Sequence, residues 1–456
     1  MSQPDERSAA LWSALAERWP ENRIAPTRAR IAALVELLGD PQRAYPVIHV
    51  AGTNGKTSTA RMIESVLRAA GLRTGLFTSP HLVDPSERIQ LEGRPIDPDR
   101  LLQTWEEIAP YAQVVDANSV ASGDVPLSFF EIATALAFAA FADAPVDVAI
   151  IEVGMGGTWD ATNVADGSVC VITPIGMDHV DYLGDTLELI AAEKAGIIGP
   201  DVPVVIARQE PEAMAVLLER CAEQGATPLV EDADFALVAR DVAVGGQVLT
   251  VRGLRGVIDQ LFVPLFGEHQ AHNATVALAA VEAFLSGVAA LDHDLLREGL
   301  AGATSPGRLQ VLRRSPTILA DVAHNPHGAH ALAASLTDSF TFASLVGVLG
   351  VLADKDAAGI VEALAPVLTD VVVTEPRSPR ALPADELAVI VREVLGDDRV
   401  SVVPDLAEAL DAAAAVAEGR ADYGTAGVLV TGSVVLVGEA MMLLGVDPTA
   451  QQGSGS

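Results

Sequence analysis

An apolar run that enters a glycine-rich turn ending in Gly-Lys-Thr limits what this chain can become more than any other feature. The segment is His49-Val50-Ala51-Gly52-Thr53-Asn54-Gly55-Lys56-Thr57-Ser58. Residues 47–50 read as a buried strand, and the pattern over 57–70 reads as a helix closed by Gly71. A helix starting directly after such a turn aims its unbonded backbone N–H groups and the positive end of its dipole at the turn. With Lys56 as a mobile cation, the turn is a phosphate cradle. It departs from the strict Walker pattern, because Val50 stands where a glycine is expected five residues before Gly55. A bare Gly-Thr-Asn-Gly connection between unrelated elements is the competing reading, and the flanking strand and helix argue against it.

Beyond the loop, short apolar runs alternate with helical patterns, which predicts an α/β fold with a wound, mostly parallel sheet. Strands are predicted over 73–78, 147–153, 169–173 and 202–207, and Ser128-Phe129-Phe130-Glu131 fits a capping box ahead of a long apolar helix. Residues 234–266 break the rhythm; 242–251 read as a hairpin around Gly245-Gly246, so a small β insert is expected. Breakers cluster over 302–307, the predicted linker, and strands at 317–321, 343–348, 371–374 and 428–431 then restart the alternation. The expected organisation is a phosphate-binding domain over 1–304, a smaller Rossmann-like α/β domain over 305–448 and a flexible tail over 449–456.

The 456 residues suffice for two or three domains with full cores. With 29 Lys plus Arg against 61 Asp plus Glu, the net charge of −32 argues against a nucleic-acid partner and requires a local basic pocket for any acidic substrate. Cys170 and Cys221 alone make neither a disulfide framework nor a cysteine metal site, which fits a reducing cytoplasm. The N-terminus, polar and acidic through Arg7, lacks the pattern of a signal peptide and reads as a short mobile lead. Asp143 and Asp147 interrupt the apolar run beginning near Ile132, short of the roughly 20 residues needed to span a bilayer, so no membrane association is expected. A monomer is the default expectation.

Polar residues recur where predicted strands end, the position at which open α/β sheets bind ligands. Ser79 follows one strand, Glu152 interrupts the end of another, and His179 lies just past a third. A hydroxyl, a carboxylate and an imidazole converging beside a triphosphate would form a Mg²⁺ site. Singly, each has a duller reading as a solvated or capping group. Lys194 sits in the last turn of a predicted helix starting near Thr186, where compensation of the helix dipole would explain it. Past the linker, Gly307-Arg308 and Asp321-Val322-Ala323-His324-Asn325-Pro326 are placed to reach back across an interdomain cleft.

These segments, with Thr78-Ser79-Pro80-His81-Leu82, Glu87-Arg88-Ile89, Glu152-Val153-Gly154-Met155-Gly156-Gly157, Asp160-Ala161-Thr162-Asn163, Asp178-His179, Glu193-Lys194-Ala195-Gly196-Ile197 and His272-Asn273, resemble the folylpolyglutamate synthase/dihydrofolate synthase branch of the Mur ligase superfamily. The resemblance runs over nearly the whole chain. It implies a Mur-ligase-like P-loop ATPase domain, ATP as substrate and Mg²⁺, with two ions expected. Thr53, Asn54, Gly55, Lys56, Thr57 and Ser58 would hold the ATP phosphates, and Asn273, Arg308 and Asp321 would contact the nucleotide. Ser79, Glu152 and His179 match the family's Mg²⁺ ligands. Lys194 matches a lysine that is typically carbamylated, and so becomes an anionic ligand for the second ion. The pterin would draw on Thr27, Arg28, Ala29 and Arg30, on Ser128, Phe129, Phe130 and Glu131, and on Trp159, Asp160 and Ala161. His324 would lie near the incoming amino acid, making Lys56, Lys194 and His324 the catalytic set. Two departures stand out: Gly-Lys-Thr-Ser replaces the Gly-Lys-Gly-Ser of many relatives, and Thr158-Trp159 replaces their Arg-Leu.

The implied reaction activates a substrate carboxylate as an acyl phosphate at the expense of ATP, and the amine of L-glutamate then displaces phosphate. Dihydropteroate as acceptor gives dihydrofolate, and a reduced folate gives a longer γ-glutamyl chain. A peptidoglycan-precursor ligase shares the loop and the lysine but normally carries a UDP-binding domain of roughly a hundred residues before it. A nucleotide-binding regulatory protein that has lost catalysis would be expected to lack one of Lys56, Glu152, His179 or Lys194, and all are present.

Overall fold

The computed structural model describes residues 3–19, 25–287, 292–421 and 425–448, and among these the alternation resolves into three sheets. The first is formed by β1 (Val47–Ala51), β2 (Thr74–Phe77), β3 (Ile89–Leu91), β4 (Arg94–Pro95), β5 (Val148–Glu152), β6 (Gly167–Ile172), β7 (Pro203–Ile206) and β8 (Thr227–Val230). Their order is β4-β3-β2-β5-β1-β6-β7-β8. From β2 to β8 neighbouring strands run parallel, and only the β3 and β4 edge is antiparallel. Every residue of β1 is buried, as a parallel strand covered on both faces requires. Its neighbours β5 and β6 place the ends of all three strands at one rim, around the phosphate loop.

One face of this sheet carries the helix Lys56–Ala69, which leaves the phosphate loop, and the helix Glu268–Phe284; Ile63, Val66, Ala274 and Leu278 belong to their common core. The other face carries the apolar helix Phe129–Asp143. The chain start differs from the mobile lead expected: Gln3–Ala16 is helical, with Trp12 3% and Leu15 2% exposed in that second core. A one-sided set, Leu11, Trp12 and Leu15, docks the helix despite its polar first turns.

The insert is a three-stranded antiparallel sheet of β9 (Ala236–Ala243), β10 (Gly246–Arg252) and β11 (Val257–Val263). Its tight turn is Val244-Gly245 rather than Gly245-Gly246, because Gly246 already pairs with Ala243. After the 302–307 segment comes a six-stranded sheet in the order β12-β13-β17-β14-β15-β16, made of β12 (Gln310–Arg314), β13 (Thr317–Asp321), β14 (Ser344–Leu349), β15 (Asp370–Val373), β16 (Val400–Val402) and β17 (Ala426–Thr431). All its pairings are parallel except the β12 edge. The expected tail over 449–456 lies outside the described residues. Among the described residues no helix is long and apolar enough to cross a membrane.

Candidate active site

The phosphate loop hangs between β1 and the helix Lys56–Ala69, with Gly55 at φ +85°, a backbone state that favours glycine. A side chain there would also collide with Asn273, whose Oδ1 lies 2.5 Å from where a Cβ would stand. The N–H groups of Thr53 and Asn54 donate to the Pro174 carbonyl at 3.0 and 3.2 Å, and the Thr53 hydroxyl donates to the Gly176 carbonyl at 3.0 Å. The loop is thereby fixed to the segment after β6. Lys56 Nζ donates to the Thr53 carbonyl at 3.1 Å, a single bond that leaves two protons for a ligand. Burial lowers the Lys56 pKa, while Glu152 and Asp178 oppose the shift. Ser58 shares a 2.9 Å hydroxyl contact with Ser305 and accepts from Gln270 at 3.3 Å; Gln270 also accepts from Asn273 at 3.1 Å.

Glu152 ends β5 at 1% exposure. Its oxygens accept from the Thr57 hydroxyl at 2.9 and 3.0 Å and from the Ser79 N–H at 3.3 Å. Burial raises its pKa, opposed by Lys56 and the Thr57 bond. Among the described residues no three His, Cys, Asp or Glu side chains gather as a metal-holding group. Mg²⁺ binds through one or two carboxylates and completes its shell with water and substrate phosphate oxygens. Glu152, with the Thr57 hydroxyl and the Ser79 backbone N–H against it, supplies one such carboxylate. His179, at φ +52°, caps the short helix Val180–Leu183, and burial pushes its pKa down to about 4, so the ring is neutral near pH 7.

Lys194 is 4% exposed and its Nζ donates to the Gly52 carbonyl at 2.8 Å. The amine therefore points into the loop and does not sit at the surface compensating a dipole. Burial, then the charge of Lys56, pushes its pKa down to about 7.

Two backbone N–H groups hold Asp321 across the cleft, Leu309 at 2.7 Å and Ala323 at 2.8 Å, so its carboxylate fixes the turn bearing Arg308. Burial raises the Asp321 pKa, and Arg308 is the first charge opposing it. His324 Nδ1 meets the Val322 carbonyl at 2.9 Å, which makes Nδ1 the donor and leaves a lone pair on Nε2. That Nε2 lies 3.8 Å from Asp178 Oδ2, and burial lowers the His324 pKa to about 4.

Asp178 joins the halves of the molecule. Its carboxylate accepts from Lys355 Nζ at 2.8 Å and from Asn325 Nδ2 at 3.1 Å, and both ends of the Lys355 pair are nearly buried. Asn325 Nδ2 also reaches Asn54 Oδ1 at 3.3 Å, and Asn54 Nδ2 donates to His327 Nδ1 at 2.8 Å. Sequence reasoning named Asp178 only as the neighbour of His179 and missed Lys355. The signal available was position, since Lys355 follows the end of β14 as Glu152 ends β5.

The segments expected around a pterin also meet. Arg28 donates to the Asn163 carbonyl at 2.9 Å, and the Thr27 hydroxyl accepts from the Ala29 N–H at 3.0 Å. Arg30 Nε donates to the Glu131 carboxylate at 3.1 Å and Nη1 to Asp124 at 3.1 Å, with Arg30 and Glu131 both buried. Glu131 and Ser128 close the capping box of the apolar helix. The charges of Arg30 and Glu131 are thus spent largely on structure. Phe129 carries the Arg88 guanidinium 5.0 Å from its ring centre, and the half-buried Phe130 fills the space that a side chain on Gly154 would need. Asp160 accepts from the Met155 and Thr162 N–H groups at 2.9 Å each, Ala161 is buried beside it, and the Trp159 N–H donates to Glu193 at 3.3 Å.

Family models match two parts of the chain: the Mur ligase middle domain over 125–281 and the Mur ligase glutamate ligase domain over 307–434. The chain is 51% identical to the Mycobacterium tuberculosis dihydrofolate synthase/folylpolyglutamate synthase, over 98% of this chain and 96% of the relative. It superposes on the crystal structure of M. tuberculosis folylpolyglutamate synthase complexed with ADP and AMPPCP with a TM-score of 0.92, covering 97% of this chain and 100% of the other at 51% identity. With the Escherichia coli FolC structure in complex with DHPP and ADP the TM-score is 0.82 at 32% identity, over 98% and 99% of the two chains.

Proposed function

The chain belongs to the folylpolyglutamate synthase/dihydrofolate synthase family of Mur ligases, and from that premise we propose how its residues carry out the reaction. It is an ATP-dependent ligase that joins L-glutamate to dihydropteroate, to reduced folates, or to both. The observation carrying the assignment of roles is the junction of the phosphate loop with Lys56, Glu152 and Lys194 on one side and the Arg308 and His324 segments on the other.

ATP docks with its phosphates on the N–H groups of Gly55 to Ser58, beside Thr53 and Asn54, and Lys56 turns from the Thr53 carbonyl to the phosphates. Asn273, Arg308 and Asp321 line the nucleotide side. Mg²⁺, two ions at Ser79, Glu152, His179 and a carbamylated Lys194, would neutralise charge as the phosphoryl group moves. The substrate carboxylate attacks the γ-phosphorus, giving an acyl phosphate and ADP. His324 Nε2, unprotonated near pH 7, offers a lone pair to the amine of L-glutamate, which attacks the acyl carbon and expels phosphate. The pterin lies along Phe129, Phe130, Trp159 and the Arg28 backbone, between the 27–30, 128–131 and 159–161 segments. The Asp178–Lys355 and Asn54–Asn325 contacts close the cleft and keep water from the acyl phosphate. The remaining partners are small molecules, and the enzyme works as a monomer in the cytoplasm.

The test is release of ADP and phosphate by the purified protein with Mg·ATP and L-glutamate, comparing dihydropteroate, a reduced folate and a UDP-muramoyl peptide as acceptors. Turnover and a one-glutamate mass gain with both pterins establish a bifunctional enzyme, and a gain with one assigns a single activity. Turnover with the muramoyl acceptor alone overturns the folate reading.

A further inference from the structure

Asn54 is held by both halves of the molecule at once. Its backbone N–H donates to the Pro174 carbonyl, within its own half, at 3.2 Å. Among the described residues its side-chain amide bonds only across the cleft: Oδ1 accepts from Asn325 Nδ2 at 3.3 Å, and Nδ2 donates to His327 Nδ1 at 2.8 Å. The residue just before the Gly55 turn thus takes its side-chain orientation from the helix Pro326–Ser339 of the other half.

The direction of each bond follows from the start of that helix. Asn325 is its N-cap, and Asn325 Oδ1 accepts from the Gly328 N–H at 2.8 Å. Its Nδ2 therefore faces outward as a donor, shared between Asp178 at 3.1 Å and Asn54. Asn54 must turn its oxygen to that donor, which leaves its own amide nitrogen against His327. An amide nitrogen only donates, so His327 accepts at Nδ1 and carries its proton on Nε2. A ring protonated at Nδ1 would set donor against donor, and flipping the Asn54 amide would only move that conflict to Asn325. His327 also lies in the first turn of its helix, where the positive end of the dipole disfavours an imidazolium. The outer side of the ring is exposed. Desolvation on its inner side and then the charge of His330 lower its pKa, opposed by Glu210, and His269 on the helix Glu268–Phe284 is also within electrostatic range. Thr53 completes the frame: its hydroxyl donates to the Gly176 carbonyl at 3.0 Å and accepts from the Gly176 N–H at 3.1 Å, and a Cβ on Gly176 would stand 3.2 Å from His327 Nδ1.

We propose that His327 is a positioning residue for ATP binding: by accepting from Asn54 it locks the phosphate loop to the half after the linker, so that the loop holds nucleotide tightly only when the cleft is shut. The proposal rests on the nucleotide reading of that loop. His327 acts through Asn54 and takes no part in bond making, which separates its role from that of His324.

The test is the dissociation constant of the purified full chain for AMPPCP with Mg²⁺, a measurement that needs no acceptor. His327→Leu should weaken it about fivefold, the loss of one neutral hydrogen bond. His327→Asn, whose Oδ1 can stand where Nδ1 does, should restore the affinity. In an Asn54→Ala background His327→Leu should cause no further weakening. Lowering the pH below the ordinary imidazole pKa of about 6.5 should weaken binding more in the parent than in His327→Asn, whose acceptor does not titrate. Parental affinity in His327→Leu, or an equal loss in the Asn54→Ala background, overturns the proposal. A parent that fails to bind AMPPCP overturns the nucleotide reading, and the proposal with it.

Discussion

Burial sets the charge of His49 and Lys194 inside this protein. His49 lies wholly inside β1, bonded through Nε2 to the Thr162 hydroxyl at 2.9 Å, and burial lowers its pKa from 6.5 to about 4. Between those values the unfolded chain takes up a proton that the folded chain refuses, so stability present above pH 6.5 is lost as the pH falls toward 4. The shift corresponds to about 3 kcal/mol. The urea midpoint of His49→Asn should therefore decline less than that of the parent between those pH limits; parallel declines would refute the assignment. Lys194 carries a different expectation. An amine with its pKa pushed down to about 7 is largely neutral at mildly alkaline pH, the form that adds carbon dioxide. In labelled bicarbonate a carbamate carbon resonance and a mass gain of one carbon dioxide are expected, both absent in Lys194→Arg. That variant keeps a cation but cannot become an anionic ligand, so turnover should fall about 100-fold or more. Full activity in Lys194→Arg would exclude the carbamate.

The apolar helix Phe129–Asp143 shows how one element serves both stability and site. Ser128→Ala removes the cap and should cost about 1 kcal/mol. Arg30→Met strands Glu131 as a buried carboxylate and should cost about 3–5 kcal/mol in denaturant unfolding. If Arg30 instead serves mainly to bind pterin, the variant will raise the pterin KM at nearly unchanged stability. Such elements were legible because their signals are local. A capping box, alternating apolar runs and the Gly302 to Gly307 breakers lie within a few residues of one another, and β1, β5, β6 and β13 fall within a residue or two of the predicted strands. The edge strands β12 and β16 escaped for physical reasons: one is half polar, Gln310-Val311-Leu312-Arg313-Arg314, and the other has three residues. The neighbourhood of Thr57, Ser79 and Glu152 was readable from strand ends. What sequence could not supply was pairing: Asp178 and Lys355 are 177 positions apart, and nothing near Arg30 announces that its charge belongs to Glu131.

Those long-range pairings decide how the two large sheets act as one enzyme. Lys355→Met leaves Asp178 buried beside His179 and His324 without its cation, and should loosen the seam by about 3–5 kcal/mol. A wider small-angle scattering profile and faster proteolysis over 302–307 are expected. A cleaner probe of the same seam carries no charge at all. Gly438 lies in the helix Val434–Leu443, and a Cβ there would stand 2.0 Å from the carbonyl oxygen of Leu82, in the segment that follows Ser79. Backbone cannot yield as a flexible side chain can, so Gly438→Ala must push the helix off the 79–82 segment or push that segment toward Glu152. Within a helix the alanine is otherwise favourable, by roughly 0.5–1 kcal/mol, so any loss must come from the contact between domains. Gly438→Ala should therefore retain helix content while kcat falls and the scattering profile widens, as in Lys355→Met. A variant with parental kcat and an unchanged profile would mean that this seam gives way freely and that catalysis does not depend on the fit between the two halves.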